Sequence, residues 1–247
     1  MDARHHGRLY SGLFNLSGSA RSYDTNPLIM PNVPYLDLQH LRYSYGPKPL
    51  LEDASLVIEQ GERVVLSGPA GSGKTTLLHC ILGLLKPVDG QITILGKTCH
   101  NENDFSIARR QVGLLFQEPD DQLFCPTVEQ DVAFGPLNLG YNEKQSSLIA
   151  KGMLERVGLT GYESRLPHSL SGGEKRLAAF AGLLAMEPRM FLLDEPSNGL
   201  DEASRERIEG ILLDTKATCL IVSHDQRLAE KLGTRKIRLD QGRIIDG

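Results

Sequence analysis

The run Gly68-Pro69-Ala70-Gly71-Ser72-Gly73-Lys74-Thr75, with Thr76 next to it, has the residue types and spacing of a phosphate cradle. Glycine admits φ > 0, so successive backbone N–H groups can converge on one anion. A helix opening near Gly73 would add the positive end of its dipole. Lys74 offers a point charge to β- and γ-phosphates, and Thr75 offers a hydroxyl to Mg2+. The alternative is a Gly-rich turn that fits by accident. Against it, an apolar stretch (Glu62–Ser67) precedes the run and a helical pattern (Lys74–Leu85) follows, the context that a cradle requires.

Asp194 and Glu195 close the apolar stretch Phe191-Leu192-Leu193, so two carboxylates sit at the carboxyl end of a buried strand, where ligands bind in open α/β sheets. Asp194 suits Mg2+ held through water, and Glu195 suits polarising an attacking water. Leu170-Ser171-Gly172-Gly173-Glu174 opens a further helix. Ser171 is a good N-cap, and the two glycines leave N–H groups bare at a positive helix end, which makes a second anion site. Read alone, either feature is an ordinary strand end or helix cap. Four more residues fall in order around them: Tyr45 before the cradle, Gln117 after a strand, Asp201 in Asn198-Gly199-Leu200-Asp201, and His224 ending a late strand.

The elements that must position these residues are legible from periodicity. Tyr35–Tyr43 alternates, Ser55–Glu59 reads as a second strand, and Glu62–Ser67 as a central one. Further strands are expected at Gln91–Leu95, Gln111–Phe116, Met190–Leu193, Cys219–Ser223, Lys236–Leu239 and Arg243–Ile245. Helices are expected at Lys74–Leu85, Thr127–Phe134, Glu143–Val157, Gly172–Met186, Ala203–Leu213 and Gln226–Leu232. Alternating strands and helices predict an α/β fold with a parallel core sheet. The opening strands look antiparallel, and residues 120–170 read as an inserted helical lobe. Residues 1–34, rich in Ser, Gly, Asn and Pro, are expected to be a flexible tail, with His5-His6 a metal-binding pair, a cloning remnant or plain solvated residues; residues 35–247 form one domain.

Composition narrows the function classes. The chain has 247 residues, 40% hydrophobic and 23% charged, as an ordinary globular domain has. A net charge of −4 argues against general nucleic-acid binding. The longest nearly unbroken apolar runs, Leu77–Leu85 (interrupted by His79) and Leu177–Met186, fall well short of the ~20 residues of a membrane-spanning helix. Cys80, Cys99, Cys125 and Cys219 are too widely spaced for a zinc site, and Cys80 and Cys219 read as core residues. Cys99-His100 reads as a loop.

Taken together, these motifs resemble the nucleotide-binding subunit of ABC transporters over about residues 35–247. The resemblance implies a P-loop ABC-type domain with an antiparallel β subdomain and a helical lobe. Gly68–Thr75 is then Walker A, Gln117 the Q-loop and a Mg2+ neighbour, and Leu170–Glu174 the signature. Asp194 and Glu195 are Walker B with its catalytic Glu, Asp201 the D-loop and His224 the switch histidine. Tyr45 matches the aromatic that stacks on adenine. Ala70 stands where Asn is common, and Glu174 where Gln is usual.

The segments Phe116–Phe124, Pro126–Glu129 and Asp131–Pro136 look like the ATPases of energy-coupling-factor importers, including cobalt, nickel and vitamin uptake systems. That likeness implies ATP and Mg2+ as ligands, and a homodimer or paralogue heterodimer at the cytoplasmic face of the membrane. It also implies a groove for a membrane partner's helix, with Asp120 and Asp121 as acidic rim and Leu123 and Phe124 as apolar floor. No nucleic-acid partner is expected. Many vitamin-type relatives continue beyond the point where this chain ends at Gly247, which turns the expected solute towards a transition metal ion, with biotin the alternative. A soluble ABC-type ATPase of DNA repair or ribosome function would share the core motifs, whereas a small-molecule P-loop kinase would need only the cradle.

Overall fold

The computed structural model describes residues 33–215 and 217–247, so the stretch read as a tail lies outside the described residues as far as residue 32. In chain order the strands are Leu36–Tyr45 (β1), Lys48–Ile58 (β2), Arg63–Ser67 (β3), Asp89–Ile94 (β4), Lys97–Thr98 (β5), Val112–Leu115 (β6), Met190–Asp194 (β7), Thr218–Val222 (β8), Arg235–Asp240 (β9) and Arg243–Asp246 (β10). The helices are Lys74–Ile81 (α1), Glu102–Ala108 (α2), Val128–Asn138 (α3), Glu143–Val157 (α4), Gly172–Ala185 (α5), Glu202–Asp214 (α6) and Gln226–Leu232 (α7). Single 3-10 turns occur at Pro119–Asp121 and Pro167–Ser169.

The strands make one mixed sheet in the order β5-β4-β1-β2-β10-β9-β3-β8-β7-β6. From β9 to β6 every neighbouring pair is parallel. β6, β7 and β8 are buried at every position, because helices cover both faces of this half; that is why their sequences are unbroken apolar runs. The other half, β2, β1, β4 and β5, is antiparallel. β10 joins the halves, pairing antiparallel with β9 and parallel with β2 at Arg243 and Asp53.

Side chains alternate across β7, so Leu192 packs on one face with Leu77, Ile81 and Leu36, while Phe191 and Leu193 pack on the other with Phe180, Leu184, Val132 and Leu154. The second cluster is built on α5, against which α3 and α4 lie. Capping boxes start all three of these helices: Thr127 with Gln130, Asn142 with Gln145, and Ser171 with Glu174. Cys80 and Cys219 are fully buried, and burial pushes both thiols up to about 12. No described helix is long and apolar enough to cross a membrane.

Several boundaries differ from the sequence reading. α1 ends at Ile81, not Leu85, because Gly83 turns into the left-handed region (φ 68°) over the ring of Phe105, where a Cβ would come within 2.4 Å. β2 begins at Lys48, seven residues before the expected Ser55; it hairpins onto β1 through register shifts that blur the apolar alternation. α3 continues to Asn138 with Pro136 inside it, four residues beyond the expected end at Phe134. α2 and β5 are additional, in the stretch around Cys99-His100; both of those residues lie in the connection between them.

Candidate functional site

Connections at the carboxyl ends of the parallel strands carry the expected chemistry. The cradle follows β3, Gln117 lies beyond β6, Asp194 ends β7 with Glu195 next, and His224 lies beyond β8. Within the cradle Gly68, Gly71 and Gly73 have φ of 151°, 74° and 103°. A side chain at Gly68 is excluded, since its Cβ would lie 2.4 Å from the carbonyl oxygen of Leu239. Gly71 instead faces open space. Gly73 caps α1 without a side-chain bond, which leaves the helix's first N–H groups available.

A cleft of about 690 Å3, within the usual range for a small-molecule site, is lined by Ala70, Gly71, Gly73, Lys74, Thr75 and Thr76. Tyr45, Gln117, Asp194, Glu195 and His224 line it too. Lys74 is buried, and its ammonium donates to the carbonyls of Gly68 (2.8 Å) and Pro69 (2.9 Å), folding over the cradle. Burial lowers its pKa, against the opposing pull of Glu195 and then Asp194. Thr75 donates a 2.6 Å hydrogen bond from its hydroxyl to Oδ2 of Asp194. Asp194 is buried, which raises its pKa, while that hydrogen bond, His79, Lys74 and Arg176 pull it back.

Glu195 is a non-glycine residue in the left-handed region (φ 49°), a conformation that costs about 1–3 kcal/mol and persists only when its surroundings enforce it. Its N–H donates to the carbonyl of Val222 at 2.9 Å, and its own carbonyl accepts from Nη1 of Arg176 at 3.2 Å. The Ser223 hydroxyl and the His224 N–H each reach Oε2 at 3.5 Å, and His224 Nε2 lies 3.6 Å from Oε1. Tyr45 presents an exposed ring, set edge-on against Tyr43 at 5.0 Å.

The remaining expected residues stand apart from this cleft. Ser171, Gly172, Gly173, Glu174 and Asp201 do not line it. Ser171 and Gly172 are exposed, with the N–H of Glu174 accepted by Ser171 Oγ at 3.3 Å. Glu174 in turn receives the Ser171 N–H (2.7 Å) and the Tyr162 hydroxyl (2.6 Å). Gly173 abuts the loop after Glu195, where a Cβ would meet the Gly199 carbonyl at 3.0 Å. Asp201 caps α6 by accepting the N–H of Ser204 at 2.7 Å, which lowers its pKa. Gly68, Pro69 and Ser72 shape the cradle without lining the cleft.

The residues present fit a nucleotide and its metal. Ser72 Oγ is buried in the cradle with no partner, and although the Ser72 N–H donates to the Pro69 carbonyl at 3.2 Å, a loop of this kind turns successive amides towards one anion. Thr75 and Asp194 are a hydroxyl and a carboxylate, the hard oxygen donors that Mg2+ takes.

Two neighbours of the site escaped the sequence reading. Ser223 touches Glu195, and Arg176 donates to the carbonyls of both Glu195 and Gln117. Arg176 had a signal: it shares the helical stripe of Phe180, Leu183 and Leu184, all buried, and a charge on such a stripe needs partners.

A second cleft of about 230 Å3 is lined by Leu123 and Phe124 together with Leu84, Phe134, Leu183 and Met186. Phe124 is 65% exposed and meets Phe134 edge-on at 4.9 Å. Asp120 and Asp121 do not line this cleft, and Asp120 pairs with Lys175 at 2.6 Å.

Comparison with known proteins places this geometry in context. The family profile described as "ABC transporter" matches residues 51–198. The chain is 45% identical, over 85% of its length and 69% of the relative, to the energy-coupling factor transporter ATP-binding protein EcfA of Methanothermobacter thermautotrophicus. Among solved structures it resembles CbiO1 from Clostridium perfringens, part of the ABC transporter complex CbiONQ, with TM-score 0.75 and 31% identity over 87% of this chain and 88% of that one. It also resembles the dimeric ATP-binding cassette MJ0796 in a post-hydrolysis state bound to ADP and Pi, with TM-score 0.78 and 27% identity over 85% and 98% of the two chains.

Proposed function

The chain belongs to the ABC transporter family, whose ATP-binding subunits couple ATP hydrolysis to transport, and on that premise we propose that it powers an importer of the energy-coupling-factor type. The observation that carries the mechanism is the division of the groups expected around the phosphates. Lys74, Thr75, Gln117, Asp194, Glu195 and His224 share one cleft, whereas the exposed Ser171–Gly172 helix end lies outside it.

Each chain is therefore read as two half-sites. The cradle and Lys74 bind the β- and γ-phosphates of ATP, with Tyr45 against the base, and Ser171 and Gly173 of the partner subunit cover the γ-phosphate. Closure replaces water with fixed donors, the main source of rate in phosphoryl transfer. Glu195 orients the attacking water and accepts its proton, with His224 beside it contacting the γ-phosphate. Thr75, Asp194 and Gln117 are the residues that would hold Mg2+, which supplies charge neutralisation on the phosphates when bound. The apolar cleft at Leu123 and Phe124 receives a helix of a membrane subunit, which would place the chain at the cytoplasmic face of the membrane. Asp120, although paired with Lys175, and Asp121 would form an outer rim of that docking surface without lining the cleft itself.

The crossed half-sites are tested with an Ala70→Cys, Ser171→Cys pair on separate copies. A disulfide between copies is expected with ATP and not without it; its absence in folded, active protein would overturn the scheme. For the solute we favour a transition metal ion, cobalt or nickel, with a vitamin such as biotin the alternative; Phe116–Phe124 and Asp131–Pro136 resemble the ATPases of both kinds of importer and do not separate them. Co-purification of the tagged chain from detergent extracts, followed by identification of the solute on its membrane partners, decides this. A bound vitamin such as biotin would replace the metal reading, and the absence of any membrane partner would favour a soluble ABC-type ATPase.

A further inference from the structure

We propose that Arg176 is a positioning residue that ties the signature helix to the hydrolysis centre, setting where the Gln117 and Glu195 side chains begin. The inference rests on the reading of Glu195 as the group that orients water. Arg176 lies in the second turn of α5 and is 4% exposed. Its Nη1 donates to the Glu195 carbonyl at 3.2 Å, and its Nη2 donates to the Gln117 carbonyl. These residues follow the neighbouring parallel strands β7 and β6, so one planar guanidinium spans the ends of both. A fork of fixed N–H donors can do this, whereas an ammonium on a flexible stem holds one carbonyl well and two poorly.

Both contacts are to backbone, so Arg176 acts on the orientation of the two peptides and leaves the side chains free for chemistry. The effect is greatest at Glu195. Its left-handed backbone is held from one side by the Val222 carbonyl and from the other by Arg176 together with the Asn198 N–H, which donates to the Glu195 carbonyl at 3.1 Å. With Arg176 removed, the carbonyl side of that peptide keeps only the local Asn198 N–H and loses its link to α5. The guanidinium also stands among the charges of Glu118, Asp194 and Glu195, which offset its burial. The same helix carries the exposed Ser171 end and packs against α3 and α4. A shift of α5 relative to the sheet therefore strains or breaks the Arg176 bonds, and lobe position is communicated to the water-orienting glutamate.

The test compares Arg176→Met and Arg176→Lys with the unaltered chain, measuring kcat, ATP KM and ATP-dependent dimer formation per folded molecule. Met keeps much of the stem and removes the fork; its kcat is expected to fall on the order of tenfold to a hundredfold, as small misplacements of reacting groups do. KM should stay within about threefold and the dimer should still form, because the cradle is untouched. Lys should recover part of the lost kcat. Wild-type kcat in Arg176→Met overturns the proposal, as does loss of ATP binding in step with loss of turnover, which marks a merely structural role. If the Met variant does not fold, the same kcat-against-KM split is read from Arg176→Lys, and an unchanged kcat there overturns the proposal. Glu195→Gln serves as the control: if it retains turnover, the reading of Glu195 fails whatever Arg176 does.

Discussion

Thr75 and Asp194 are joined by a 2.6 Å hydrogen bond from hydroxyl to carboxylate, which ties the first turn of α1 to the end of β7 across 119 residues of chain. The bond is part-buried, and it opposes the upward push that burial exerts on the Asp194 pKa. Thr75→Val keeps the shape and removes the donor. It should lower unfolding free energy by about 1–3 kcal/mol in urea titrations, the cost of an unpartnered buried acceptor. It should also raise the Mg2+ concentration needed for half-maximal ATPase activity. Unchanged values of both would detach the pair from metal binding.

Lys74 and Glu195 line one cleft but should fail differently. Lys74→Ala removes the ammonium that would meet the phosphates, and nucleotide titrations should show binding lost or weakened on the order of a hundredfold. Glu195→Gln should bind ATP, turn over at a rate lower by on the order of a hundredfold or more, and elute as an ATP-dependent dimer on a sizing column. A Glu195→Gln chain with normal turnover would falsify the assigned role.

Acid should loosen the signature helix. Hydrogen bonds from Tyr162 and Ser171 hold the Glu174 carboxyl below its usual 4.5. A depressed folded-state pKa gives stability that is present above the unfolded value and lost as pH falls through the folded one. Glu174→Gln keeps the capping box but does not titrate. The gap in urea midpoint between the unaltered chain and this variant should thus be constant above pH 4.5 and change in the variant's favour below it. A gap independent of pH down to the acid limb would show that Glu174 makes no such contribution.

Phe124→Asp should separate docking from chemistry. The ring is 65% exposed beside Phe134, away from the residues that line the nucleotide cleft. Turnover of the isolated chain should stay within about twofold, while co-purification with membrane subunits should fall sharply, as loss of an aromatic anchor does. Retained co-purification would move the docking surface elsewhere.

The cradle, the acidic strand end and the capped signature helix were legible because their chemistry is local. Glycine conformations, an apolar run ending in two acids and a serine three residues before a glutamate are written in consecutive residues. What stayed hidden was decided by distant partners. The end of α1 is set by the ring of Phe105 beneath Gly83, and the first half of β2 by pairing with β1 around the turn at Gly46. The links of Arg176 to Gln117 and Glu195 span 59 and 19 residues, so only its charge on a buried helix face hinted at them. Asp120 reads as part of an acidic rim, but Lys175 on α5 pairs with it, a partner that no local pattern reveals.

The left-handed backbone at Glu195 bears on how this chain can change over generations. Glycine adopts φ near +50° without penalty and asparagine with little, so folding alone favours either over glutamate at that position. A duplicated copy relieved of nucleotide turnover, yet still required as a partner, would drift towards one of them. On the role proposed for Glu195, retention of the acid in a descendant marks a copy that still burns fuel, and its replacement one that has become a passive half.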